Sequence, residues 1–115
     1  MWVMLSNSFL SIVAHRDQPD TLCVRARVKG DIEAVFPWVE ASRTPDGDYL
    51  YRAVLPREEV ASVLAEKALQ ISYDNFKSSV PDRDRHDAYL RCWRAMHDLQ
   101  TMQDAPRRTR FKAKL

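Results

Sequence analysis

The chain has 115 residues, 45% of them hydrophobic and 30% charged. That is the composition of a globular chain rather than a disordered one, and the length suits one domain burying about two-thirds of its unfolded surface. It contains only two glycines, Gly30 and Gly47, too few for a glycine-rich phosphate loop. No run approaches the ~20 apolar residues of a membrane span.

The formal net charge of +2 hides an asymmetry. The final eleven residues contain Arg107, Arg108, Arg110, Lys112 and Lys114 and no acid. Taking these five from 18 bases leaves 13 against 16 acids, so the rest of the chain carries −3. The basic character belongs to the tail.

The opening, Met1-Trp2-Val3-Met4-Leu5, is apolar but is interrupted by Ser6-Asn7-Ser8. It lacks the basic leader and long apolar run of an export signal, so a cytoplasmic protein is expected. Phe9 to Arg16 then predicts a strand. Asp17-Gln18-Pro19-Asp20 is turn chemistry, with proline presetting φ and Asp able to bond its own backbone. Thr21 to Val28 alternates: Leu22, Val24, Ala26 and Val28 on one face, Cys23, Arg25 and Arg27 on the other. That is the period of a half-buried strand. Asp31 to Phe36 predicts a short helix with Asp31 as its N-cap, stopped before Pro37.

A similar plan follows. Trp38 to Thr44 predicts a strand, Pro45-Asp46-Gly47-Asp48 a turn, and Tyr49 to Leu55 the return strand. Pro56 opens a helix running to about Ile71, with Val60, Val63, Leu64, Lys67, Ala68 and Ile71 in one stripe. At an offset of 27 residues Ala14, Arg16, Arg25, Ala26 and Ala34 meet Ala41, Arg43, Arg52, Ala53 and Ala61. After a connector at 72–80, Pro81 opens a long helix to about Met102. Its first turns carry Asp82, Asp84 and Asp87, which suits the positive end of the helix dipole.

The expected fold is therefore α+β: a four-stranded antiparallel sheet from a duplicated β-hairpin–helix unit, with an additional long C-terminal helix. Residues 1–104 are expected to form a single domain and 105–115 a basic, disordered tail. Trp38, Trp93, Tyr49, Tyr51 and Tyr89 are expected in the core, because large aromatics supply much of the burial in a small domain.

The segments Met1-Trp2, Leu22-Cys23-Val24-Arg25-Ala26-Arg27, Asp48-Tyr49-Leu50-Tyr51-Arg52-Ala53, Tyr73-Asp74-Asn75-Phe76-Lys77 and Trp93-Arg94-Ala95-Met96-His97-Asp98-Leu99-Gln100 resemble a family of short bacterial and phage proteins of unknown function. The resemblance covers roughly residues 1–100 and excludes the tail. It implies a phage or mobile-element origin and assigns no functional residue.

Among residues that could carry chemistry, Arg25, Arg27 and Arg52 lead. Alternation places the first two on one strand face, and the repeat places Arg52 at the matching site. Guanidinium forks bind phosphate or carboxylate bidentately and keep their charge. Pairing with local acids such as Glu33, Glu40 or Asp48, or with the Asp residues of the long helix, would instead make them a surface of little consequence. The tail bases Arg107, Arg108, Arg110, Lys112 and Lys114 resemble an arm that neutralises nucleic-acid phosphates. Trp2 and Phe76, and Tyr89, Trp93 and Met96 on the long helix, are candidate contact residues, the last three as a homodimer seam.

No catalytic arrangement stands out. Cys92 is six residues from His86 and five from His97, poor spacing on a helix, and there is no G-x-S-x-G. His86 and His97 are eleven apart, unlike the i, i+4 spacing of a helical zinc pair. Cys23 and Cys92 read as reduced thiols. No enzyme activity, metal or cofactor is expected. The expected function is that of an interaction module for a macromolecular, anionic partner in phage–host conflict or regulation. A protein partner leads, nucleic acid is the alternative, and no membrane role is foreseen.

Overall fold

A computed structural model describes residues 1–105. The chain divides into two compact units, Met1–Pro81 and Asp82–Leu115.

The first unit is an antiparallel sheet of five strands carrying two helices. The strands are β1 (Trp2–Leu5), β2 (Ser8–Ala14), β3 (Thr21–Ala26), β4 (Ser42–Arg43) and β5 (Tyr51–Pro56), in the spatial order β1-β2-β3-β5-β4. The helices are α1 (Asp31–Val35) and α2 (Arg57–Leu69). The α+β class and the antiparallel sheet agree with the sequence reading; the strand count and the exact repeat do not.

The added strand is β1. It pairs with β2 from Trp2↔Ser11 to Leu5↔Ser8, linked by Ser6-Asn7. That link carries no Asn-Gly or Gly-X signal of a tight hairpin, and neither residue has a positive φ, so nothing local announces it. The two hairpin–helix units are not copies either. The strand expected over 38–44 shrinks to Ser42–Arg43, because a turn at 37–38, closed by the Val39 amide on the Phe36 carbonyl at 3.0 Å, takes up its first half. The helices have 5 and 13 residues.

The core follows from alternation. Leu10 and Ile12 of β2, Val24 and Ala26 of β3, and Leu55 of β5 meet Ile32, Val35 and Phe36 from around α1 and Val60 of α2. Leu10, Val24, Ile32 and Phe36 are fully buried. Each such side chain contributes roughly 1.5–3 kcal/mol relative to exposure. Entry into α1 depends on Gly30, whose φ of 90° makes it the helix cap. A side chain there would crowd its own backbone. Asp31 is thus the first helical residue, not the cap expected from sequence. It is buried, and its Oδ2 accepts the Phe9 amide at 3.0 Å, tying helix to sheet.

Of the aromatics expected inside, Tyr49 and Tyr89 are buried and Tyr51 is half-buried. Trp38 and Trp93 are exposed by 59% and 48%, correcting their placement in the core. Trp38 follows Pro37 outside any strand and meets the core only edge-on, against Phe36 at 5.9 Å.

The second unit contains one long helix, α3 (Arg83–Asp104), as expected. Asp82 caps it, accepting the Arg85 amide at 2.9 Å. Trp93 stacks on His97 at 5.2 Å between ring centres, and His86 sits 3.5 Å from Asp87. No described helix is long and apolar enough to cross a membrane.

Candidate binding face

Both helices of the first unit contact the sheet through the face that carries Leu10, Ile12, Val24, Ala26 and Leu55. Alternation sends the intervening side chains to the opposite face. The strand register aligns one row of that face across all five strands: Trp2, Ser11, Arg25, Arg52 and Ser42. At the ordinary strand spacing this row spans about 19 Å.

The centre of the row holds two arginines directly opposite each other. Arg25 and Arg52 are the pair related by the 27-residue offset, and they are also cross-strand partners. Like charges so placed are unfavourable unless something neutralises them. Among the described residues no carboxylate does so: none forms an ion pair with Arg25, Arg27 or Arg52. The acids considered as local partners leave all three guanidiniums without a counter-charge.

What holds two of them is hydrogen bonding and an aromatic ring. The Arg25 Nη2 donates to the buried Ser11 Oγ at 2.7 Å. The Arg27 Nη1 donates to the Asp48 carbonyl, not its carboxylate, at 2.9 Å. Tyr49, 5% exposed, lies beneath both, its ring centre 4.5 Å from the Arg25 guanidinium and 4.1 Å from that of Arg27. Cation–π contacts of this kind contribute about 0.5–2 kcal/mol each. The Arg52 side chain makes no hydrogen bond with the described residues, and among them the buried Nε atoms of Arg25 and Arg52 both lack a partner. An unmet buried donor costs about 1–3 kcal/mol. The face is thus held together at some cost to stability.

Tyr49 reaches this position by leaving its strand. The strand expected from Tyr49 begins at Tyr51. The preceding loop closes through the Thr44 amide to the Leu50 carbonyl at 2.7 Å, and Tyr49 lies beneath the Arg25 and Arg27 guanidiniums. Hydrogen bonding to the Ser11 hydroxyl lowers the pKa of the Tyr49 phenol below its ordinary 10.0. Burial opposes this, and the Arg27 and Arg25 charges add to the lowering. Gly47 gives Arg52 room: a side-chain carbon there would stand 3.0 Å from its Nη2.

Sequence reasoning named the three arginines and missed Ser11 and Tyr49. Ser11 had a readable signal, a small polar residue between Leu10 and Ile12, placed by alternation on the arginine face. Tyr49 had none, because its pattern continued that of the strand.

The other candidates are dispersed. Trp2 is 67% exposed at the outer end of the row, edge-on to Phe9 at 5.9 Å. Phe76 is half-buried against Tyr73 at 5.6 Å. On α3, Trp93 and Met96 are exposed but Tyr89 is buried, so the three do not form one open seam on that helix. Arg107, Arg108, Arg110, Lys112 and Lys114 lie outside the described residues. Cys23 and Cys92 are free thiols, both half-buried. Among the described residues no cluster of His, Cys, Asp or Glu is arranged to hold a metal. His15 uses its Nδ1 to accept the Asp17 and Gln18 amides at 3.1 Å each.

Compared with protein-family models, curated proteins and solved structures, the chain matches none.

Proposed function

We propose that this chain is a non-catalytic binding module whose arginine face takes an anionic group of a macromolecular partner. The carrying observation is the juxtaposition of Arg25 and Arg52 on paired strands with Arg27, one residue past the end of β3, and no described acid to neutralise them. Ser11 and Tyr49 fix two of the forks in advance, so an incoming phosphate or carboxylate meets groups whose freedom is already restricted. That preorganisation raises affinity by lowering the ordering cost of binding. An acidic or phosphorylated protein surface fits this chemistry, and a role in phage–host conflict or regulation accords with such a module.

A second reading, single-stranded nucleic acid, is favoured by one feature. The exposed Trp2 indole lies in the same row as the guanidiniums. Stacking platforms beside cationic grooves are how single strands are held without base readout. The tail bases would add to such binding.

The test measures binding of the full-length chain to three fluorescent probes: a phosphoserine peptide, a polyglutamate peptide and a single-stranded oligonucleotide. Replacing Arg27 and Arg52 together by Ala is expected to weaken the preferred probe about tenfold or more, since charge-assisted bonds carry about 1.5–3 kcal/mol. Preference for the oligonucleotide, lost in Trp2→Ala and weakened when the chain is cut after Asp104, selects the second reading. Equal binding of all probes by wild type and the double variant sinks both.

A further inference from the structure

The two edges of the sheet differ. β4 is two exposed polar residues. β1 is four residues, Trp2-Val3-Met4-Leu5, with no charge and no proline. Edge strands ordinarily carry Lys, Pro or a bulge, or are very short, because their unpaired backbone groups template another strand. β1 has none of these protections.

Its pairing with β2 settles which groups are free. Met1 exchanges both backbone bonds with Ile12, each at 2.8 Å. Antiparallel alternation then turns the N–H and C=O of Val3 and Leu5 toward β2 and those of Trp2 and Met4 away from the sheet. Two donors and two acceptors therefore point outward, about 7 Å apart along the strand.

Beside this edge lies a groove of about 580 Å³. Its walls include Val3, Met4 and Leu5 of β1 on one side and Leu64, Lys67, Ala68 and Ile71, along and just beyond α2, on the other. Val3, Leu5 and Leu64 also pack on the hydrophobic core, so the groove floor is continuous with it. Among the described residues, Lys67 is the only charged side chain in the lining.

We infer that edge and groove together take an extended peptide, which adds to β1 as a further strand, seats alternate apolar side chains in the groove and sets one acidic side chain against Lys67. Strand addition of this kind gains affinity from main-chain bonds and selectivity from pockets for alternate residues. A compact small molecule could occupy the groove but would leave the edge groups of Trp2 and Met4 unpaired. A second copy joined through β1 could pair them, but β1 has no acid to offer Lys67. The groove lies on the core side of β1, away from the three arginines, whose row reaches this edge at Trp2.

The test selects random octapeptides displayed on phage against the full-length chain, then measures the best peptide, synthesised, by fluorescence anisotropy. The expected sequences alternate apolar residues and carry one acid at a constant offset. Met4→Pro removes an outward N–H while sparing the ladder to β2, and is expected to weaken binding about fivefold or more. Ala68→Arg, on an exposed helix position, fills the groove and gives a second reading should Met4→Pro perturb the fold by circular dichroism. Lys67→Glu should turn the selected acid into a base. The Arg27→Ala, Arg52→Ala double variant should bind the peptide unchanged, which separates this site from the arginine face. The inference is overturned by selection no better than on beads without protein, or by affinity unmoved in both Met4→Pro and Ala68→Arg. Binding lost in the arginine variant, or a concentration-dependent dimer abolished by Met4→Pro, also overturns it.

Discussion

Replacing Arg52 by Met should stabilise the free protein and weaken its anion binding. Met keeps most of the aliphatic stem and removes the charge. Two penalties disappear with it. Arg25 no longer faces a like charge across the strand pair, worth about 0.2–1 kcal/mol. The buried Arg52 Nε no longer lacks a partner, worth about 1–3 kcal/mol. Discounting for the half-exposed position and for solvent near the other guanidinium nitrogens, a net gain of about 1 kcal/mol is expected. For a domain near this size that raises Tm by roughly 4–8 °C. Differential scanning calorimetry at low ionic strength, with and without inorganic tripolyphosphate, reads both effects. Wild type should gain Tm with the polyanion, because a ligand that binds only the folded state stabilises it by mass action; Arg52→Met should start higher and gain less. A variant that melts below wild type and responds equally to tripolyphosphate would refute the reasoning, because Arg52 would then be an ordinary stabilising residue.

Two further outcomes follow from the same geometry. Phe36→Ala empties a fully buried site between α1 and the sheet, and urea denaturation should show a loss of about 3–5 kcal/mol. That is a large fraction of the stability of a typical domain. In a titration followed by tyrosine absorbance, one of the four phenols, Tyr49, should ionise below its ordinary 10.0. Because the folded state releases this proton first, its contribution to stability is fully present above pH 10. It is lost as pH falls through the lowered value. Arg27→Ala should move the ionisation upward, and so should a bound polyanion, which offsets the guanidinium charges; no movement in either case would contradict the assigned electrostatics.

The chain's patterning determined a good deal without help. The alternation of Leu22, Val24 and Ala26 against Cys23 and Arg25 placed β3 and sorted Arg25 to the face opposite the core, since a strand has no other way to bury half its side chains. Pro37, Pro56 and the Asp residues at the start of α3 marked helix limits through φ restriction and dipole effects that act within a few residues. Other features were decided only by tertiary structure. β1 exists because β2 offers it a partner, and its two-residue link has no distinctive turn chemistry. The first half of the strand expected over 38–44 gave way to a turn closed between Phe36 and Val39, and Trp38 was left outside. Tyr49 abandoned the strand pattern to lie under two guanidiniums contributed from 22 and 24 positions earlier. Local patterning governs which face a side chain takes; which strands become neighbours, and so which charges meet, depends on contacts between distant segments that no single window of sequence contains.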